Sequence, residues 1–291
     1  MHVLVTGASG TVGRFIVKGL LDQGHAVTAL GRRPLQGWPT AFHPFDLGDD
    51  VPVVPQSDAL VHCALLHEPG RFRGGEGDDP ERFRRLNADG TRRLFEAARN
   101  AGCRDAVFLS SRSVYGDHRK GETLLETDRP EPDTLYGRVK LAGEEALKGL
   151  SGAEFKGTVL RATGIYGCPP GETAHKWSEL LKDFDRGGDI SPRVGTEVHG
   201  DDLSAAVSLV LNTPHDKRPA FNVFNVSDLL LDRRDLLTLY GELAGISRPL
   251  PERSGGAPGV MDTGRLRELG WTPGGIEKLR SFLTCLVKGH S

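Results

Sequence analysis

The residues with chemical potential fall into three groups. Gly7-Ala8-Ser9-Gly10-Thr11-Val12-Gly13 lies between a short apolar run, HVLVT at 2–6, and an amphipathic stretch, VGRFIVKGLLDQ at 12–23. A tight glycine turn lets the backbone approach a pyrophosphate, and a helix starting there offers unpaired N–H groups and partial positive charge to the phosphates. The spacing is GxxGxxG and not the commoner GxGxxG, but the physical demand is the same, and the flanking strand and helix point to a dinucleotide site. Arg32 and Arg33 follow the next apolar run, AVTAL at 26–30. An acidic residue there would hold the ribose 2′-hydroxyl of NAD; two guanidinium groups suit a 2′-phosphate by charge and bidentate geometry. NADP(H) is therefore favoured and NAD(H) possible; the plainer alternative is a pair of solvated surface arginines. Tyr136 and Lys140 stand four apart in a helical segment, so both reach one pocket. A phenol of ordinary pKa, about 10, is a poor base at neutral pH, and a neighbouring ammonium is expected to lower it.

These groups need elements to position them. Short apolar runs at 2–6, 26–30, 41–47, 58–65, 105–111 and 157–167 read as strands. Amphipathic stretches at 12–23, 81–101 and 135–148 read as helices. Alternation of strand and helix, with strands apolar almost throughout, predicts a parallel sheet covered on both faces: a Rossmann-type, doubly wound α/β fold. Past residue 168 the periodicity weakens. Helices are expected near 174–187 and at 201–212, a late strand at 220–227, and two amphipathic helices in LLDRRDLLTLYGELAG and GGIEKLRSFLTCLVKG. The expected organisation is a dinucleotide-binding domain at 1–167 with returning segments near 195–227, and a smaller substrate-binding lobe from 168–194 and 228–291.

Composition narrows the function. The 291 residues carry 37 Lys and Arg against 39 Asp and Glu, a formal net charge of −2, which argues against a nucleic-acid partner. Mean hydropathy is −0.33 and no apolar run approaches the length of a membrane span, so no membrane association is expected. MHVLVTGASG lacks the features of a secretory leader. Cys63, Cys103, Cys168 and Cys285 form no CxxC pair and suit free thiols in a reducing, cytoplasmic compartment. His62, His67 and His199 lack metal-ligand spacing, and no metal is expected.

The motifs in their order resemble the extended short-chain dehydrogenase/reductase family, also called the NAD-dependent epimerase/dehydratase family. They are TGASGTVG at 6–13, Asp46-Leu47, LVHCA at 60–64, Asn87 in LNADGTRRLFEAA, SSRSVYG at 110–116, Tyr136 to Lys140, LRATGIYG at 160–167 and HGDDL at 199–203. The resemblance implies an oxidoreductase in which Tyr136 exchanges a proton with the substrate oxygen, Ser111 hydrogen-bonds that oxygen, and Lys140 also holds the nicotinamide ribose. It further implies cofactor contacts at Gly7, Ser9, Gly10, Thr11, Val12, Gly13, Arg32, Arg33, Asp46, Leu47, Cys63, Ala64, Leu65, Asn87 and Thr163. Asp46 could accept from the adenine amino group or merely cap a turn. Asn87 is structural or part of a water relay. A homodimer built on the helices at 81–101 and 135–148 is implied as well.

Some positions depart from the family pattern. Arg112 and Ser113 stand where the 4,6-dehydratases carry an acidic pair, which disfavours elimination of water. Gly164 replaces an asparagine near a nucleotide substrate, and Arg193 lies off the register of a diphosphate-gripping arginine. The expected substrate is a small molecule, a secondary alcohol or ketone of a sugar or sugar-like compound. An epimerase that retains its cofactor, or a dinucleotide-sensing regulator without catalysis, are the alternatives. The charged, glycine-rich segment 67–83 reads as a surface loop or as a substrate lid with Arg71 or Arg73 as anion contacts. His175, Lys176 and Trp177 either shape a pocket or belong to the core.

Overall fold

The computed structural model describes residues 1–67 and 76–289. In chain order the elements are β1 (His2–Thr6), α1 (Thr11–Asp22), β2 (Ala26–Gly31), β3 (Ala41–Pro44), β4 (Ala59–His62), α2 (Pro80–Arg84), α3 (Gly90–Asn100) and β5 (Asp105–Ser111). They continue with β6 (Thr123–Leu124), α4 (Leu135–Leu150), β7 (Lys156–Ala162), β8 (Gly164–Tyr166), α5 (Ser178–Asp185), β9 (Val194–His199) and α6 (Gly200–Asn212). The chain ends in β10 (Phe221–Val226), β11 (Leu229–Asp232), α7 (Arg233–Ala244), β12 (Val260–Met261), α8 (Gly264–Glu268) and α9 (Gly275–Gly289).

The main sheet has seven strands in the order β10-β7-β5-β4-β1-β2-β3, every pair parallel. Strand order reverses between β1 and β4, and in such sheets ligands bind in the crevice beyond the strand C-termini at that point. The strands are apolar because helices cover both faces. On one side Ile16, Val17 and Leu20 of α1 pack with Ala206, Val207 and Val210 of α6 over Val3, Val5 and Val61. On the other, Leu94, Phe95 and Ala98 of α3 and Leu147 of α4 cover Leu4, Leu60, Ala106 and Phe108.

Two expected elements are divided. The stretch read as one helix at 81–101 is α2, a π-helical turn over Arg85–Asp89 and then α3. A wide turn of this kind often marks a functional site, and here it contains Asn87. The strand read at 157–167 ends at Ala162; β8 then leaves the main sheet to form a three-stranded one, β11-β9-β8. Periodicity could not separate the two sheets, because both strands are buried and apolar at their junction. Of the stretch 195–227, α6 and β10 return to the main layers, whereas β9 pairs with β8 and β11. A distinct core joins Tyr166, Trp177, Leu181, Phe184, Leu236, Leu237, Tyr240, Leu279 and Phe282 in the C-terminal part. No helix among the described residues is long and apolar enough to cross a membrane.

Candidate active site

The glycine loop leaves β1 at the crevice. Gly7 has φ +66°, and a Cβ there would lie 2.8 Å from the Ala64 nitrogen; a Cβ on Gly13 would overlap the Gly7 carbonyl. Both glycines are thus required, one by a left-handed turn and close approach, the other by close packing of helix on loop. Helix α1 begins after Gly10 with no side-chain cap, and Ser9, Gly10 and Thr11 are exposed, whereas Val12 is half-buried and packs on the core. An uncapped, exposed helix start beside a narrow glycine turn fits the pyrophosphate of a dinucleotide.

Arg32 and Arg33 follow β2 directly, next to the strand that feeds the glycine loop. Both are exposed, and neither makes a side-chain hydrogen bond or ion pair among the described residues. Asp46 caps its own turn: its Oδ1 accepts from Gly48 N at 2.8 Å, and its backbone N–H donates to Asp49 at 3.0 Å. Leu47 is buried in the core.

Beyond β4, Cys63, Ala64 and Leu65 are half-buried. The N–H groups of Cys63 and Ala64 donate to the Thr6 hydroxyl oxygen, each at 3.2 Å. That hydroxyl donates onward to His62 Nδ1 at 2.6 Å, so the His62 proton sits on Nε2 and is given to Thr91 Oγ1 at 2.9 Å. Burial, with the Lys140 charge adding to it, brings the His62 imidazole down to about 3. This neutral histidine joins β1, β4 and α3 directly under the switch point. Asn87 is a clamp: its amide nitrogen donates to Leu66 O and Phe83 O, and its oxygen accepts from Leu66 N at 2.7 Å. The geometry favours the structural role over the water relay.

Ser111 ends β5 and accepts from Ser113 N at 3.1 Å, starting the short 3-10 turn Arg112–Tyr115. Thr134 accepts from Gly137 N at 3.0 Å and so caps α4, which places Tyr136 in its first turn. Ser111 lies close enough to the Tyr136 phenol to act on it, and its own hydroxyl donates to Ser113 Oγ at 3.2 Å. One turn on, the Lys140 ammonium lies 5.9 Å from the Tyr136 ring centre and donates to Leu109 O at 2.7 Å. Burial brings the Lys140 ammonium down to about 8, against opposing pulls from Cys63 and Glu144. The expectation that Lys140 lowers the Tyr136 phenol is not met: burial pushes the phenol up, and the opposing influence is Ser111. Desolvation of the charged form outweighs it. Cys63, near enough to act on Lys140, is itself raised to about 12 by burial and stays a neutral thiol.

Thr163 stands at the branch between the sheets. Its N–H donates to Val226 O at 3.1 Å, and its hydroxyl bonds Thr196. At Gly164 a side chain would run into Lys176 Nζ and Glu197 Oε2, which form an ion pair that the sequence did not reveal. Burial lowers the Lys176 pKa, and Arg193 acts on it with the same sign, which brings that arginine into electrostatic range of the site. Trp177 is a core residue, stacked on Tyr166 at 5.1 Å. His199 caps α6 by accepting from Asp201 N. Arg14 was also unforeseen: it donates to Ser9 O and Pro170 O and pairs with Glu172 at 2.6 Å, tying the glycine loop to the loop after β8. Arg71 and Arg73 lie outside the described residues.

A Rossmann-type sheet, a glycine cradle at its switch point and a serine–tyrosine–lysine group at the adjacent strand end together define an NAD(P)-binding oxidoreductase fold. A family model for the NAD dependent epimerase/dehydratase family matches residues 3–226, and the chain belongs to that family and is an enzyme. It is 27% identical over 245 residues to the uncharacterized protein YbjS of Escherichia coli K12, covering 78% of this chain and 70% of that one. It is 32% identical over 178 residues to a dTDP-6-deoxy-L-talose 4-dehydrogenase (NAD(P)(+)) of Kitasatospora kifunensis, covering 60% of this chain and 55% of the relative. Among solved structures it is similar to MoeE5 in complex with UDP-glucose and NAD, with TM-score 0.79, 26% identity, and coverage of 100% and 99%.

Proposed function

We propose that the protein is an NADP(H)-dependent oxidoreductase that interconverts a secondary alcohol and its ketone in a sugar or sugar-like small molecule. The observation that carries this reading is the convergence of Ser111, Tyr136 and Lys140 beside the half-buried Cys63 at the mouth of the dinucleotide crevice. A bound nicotinamide supplies or takes up the hydride. The chain does the rest. The uncapped start of α1 and the Gly7–Gly13 turn receive the pyrophosphate, Arg32 and Arg33 the 2′-phosphate, and Lys140 the ribose. Ser111 Oγ holds the substrate oxygen, and the Tyr136 hydroxyl transfers its proton at that oxygen. Burial pushes the phenol pKa up, which keeps a proton on Tyr136 that can be donated to a carbonyl oxygen.

A homodimer resting on α3 and α4, in the reducing cytoplasm, completes the reading; the four free cysteines support the compartment, and a monomeric mass in solution rejects the dimer. The second reading is an epimerase with retained cofactor, favoured by the likeness, at 28% identity over 185 residues, to a UDP-glucose 4-epimerase of Yersinia pestis. The Lys176–Glu197 pair beside Gly164 weighs against a diphosphate there, because the carboxylate already neutralises that ammonium. A screen of carbonyl and polyol substrates, followed at the reduced-nicotinamide absorbance, separates the two. Stoichiometric oxidation of NADPH supports the reductase; turnover of a sugar nucleotide without net absorbance change supports the epimerase.

A further inference from the structure

Three consecutive residues of β5 face three residues of α4 spaced one turn apart. Ser111 acts on the Tyr136 phenol at close range, Ser110 Oγ donates to Glu144 Oε1 at 2.5 Å, and Leu109 O accepts from Lys140. Tyr136, Lys140 and Glu144 therefore form a single i, i+4, i+8 stripe against the strand that carries Ser111. Glu144 is the deepest of the three, and its side chain is 5% exposed. Arg161 of β7, 4% exposed, grips it with two nitrogens at 2.7 to 3.2 Å and lies 4.8 Å from the Tyr115 ring centre. Tyr115 in turn donates to Asn225 of β10 at 2.7 Å. The carboxylate is thus fixed from β5, β7 and, through Tyr115, β10.

We propose that Glu144, anchored by Ser110 and Arg161, is a positioning residue whose fixed negative charge stabilises the Lys140 ammonium in its buried place beside Tyr136. This inference rests on the reading of Lys140 as part of the active site. A lysine in a dry pocket tends to lose its proton. The groups that face it are few. From β4 and the loop after it come His62 and Cys63, both neutral near pH 7. From β5 come the Leu109 carbonyl and the Phe108 ring, 5.0 Å from Nζ. From α4 come Tyr136, a protonated phenol, and Glu144. Glu144 is the carboxylate of this set, and Arg161 holds it in place. Without it, Lys140 would be drawn toward the neutral amine, which neither orients a ribose hydroxyl as firmly nor assists a proton leaving or returning to the phenol.

The test is an NMR titration of lysine-labelled protein, with the Lys140 signal assigned by its loss in Lys140→Arg. The wild-type midpoint is expected near 8. Glu144→Gln is expected to lower it by about one pH unit or more. Glu144→Asp, which keeps the charge, should restore most of the difference, and Ser110→Ala, which loosens one anchor but keeps the charge, should move the midpoint much less than Glu144→Gln. If Glu144→Gln does not fold, the charge-neutral pair Glu144→Gln/Arg161→Gln removes the same carboxylate without stranding a guanidinium and should give a downward shift that is smaller, because a positive charge is lost with it. A folded variant lacking the carboxylate but titrating like wild type overturns the proposal. So does a Ser110→Ala shift as large as that of Glu144→Gln, since packing and not charge would then be responsible. NADPH affinity followed by fluorescence across the same pH range is the companion measurement: its alkaline decline should move to lower pH in Glu144→Gln. Absence of NADPH binding in the wild type would reject the functional reading, while the titration would still decide the role of Glu144.

Discussion

The two ends of the crevice are built on opposite principles. The end proposed for the phosphates is backbone. Side chains are missing at Gly7, Gly10 and Gly13, and the helix start there is exposed and uncapped. The end proposed for proton transfer is side chain. Lys140 and Glu144 are bonded to β5, and an ion pair removed from water runs from Glu144 to Arg161. A pyrophosphate needs close approach and many weak donors, which a bare turn supplies. A proton passed at one atom needs a group held within hydrogen-bond reach, and a buried, multiply bonded lattice supplies that. The contrast predicts that the two ends fail differently when altered.

The largest effect belongs to the proton-transfer end. Tyr136→Phe should lower kcat by roughly 10²- to 10⁴-fold while changing NADPH affinity little; steady-state kinetics with a fluorescence titration checks both, and retained turnover would remove Tyr136 from the chemistry. At the other end, Gly13→Ala should do the reverse. The added methyl overlaps the Gly7 carbonyl, so the loop must shift; cofactor affinity should fall at least tenfold and folding stability by about 1–3 kcal/mol, read by titration and thermal melting. Replacing Arg32 and Arg33 by serine should weaken NADPH about tenfold to a hundredfold and NADH far less. Equal losses for both coenzymes would sink the 2′-phosphate assignment.

A smaller effect at neutral pH comes from the seam between the two ends. His62 lies folded at about 3, below its unfolded value near 6.5, so it is neutral in the folded chain and takes up a proton on unfolding. Its contribution is complete above about pH 6.5 and is lost as pH falls toward 3, by up to about 1.4 kcal/mol per pH unit. Denaturant titrations from pH 7 to 4 should show this decline, and His62→Asn should flatten it. An unchanged slope in the variant would mean that other groups carry the acid sensitivity.

Much of this was legible in the linear chain because it is local. Glycine spacing, the strand before it and the helix after it occupy neighbouring residues, as do Tyr136 and Lys140. Alternating apolar runs announce a covered parallel sheet. The break at Asn87 was not legible, since a π-helical turn keeps nearly the same periodicity as the helices around it. Nor was the turn that the Asp46 carboxylate closes with Gly48 N, because a lone aspartate after a strand can serve a turn, a ligand or both.

Sequence by itself determined the fold class, the phosphate-binding turn and the tyrosine–lysine pair, because each depends on backbone geometry and short spacing. Tertiary structure alone decided the electrostatics. Glu144 meets Arg161, Lys176 meets Glu197, and Arg14 meets Glu172 across 17, 21 and 158 positions of chain. It alone reversed the expected shift of the Tyr136 phenol. Charge–charge energies depend on distance and on the exclusion of water, and neither exists until the strands and helices have closed around the site.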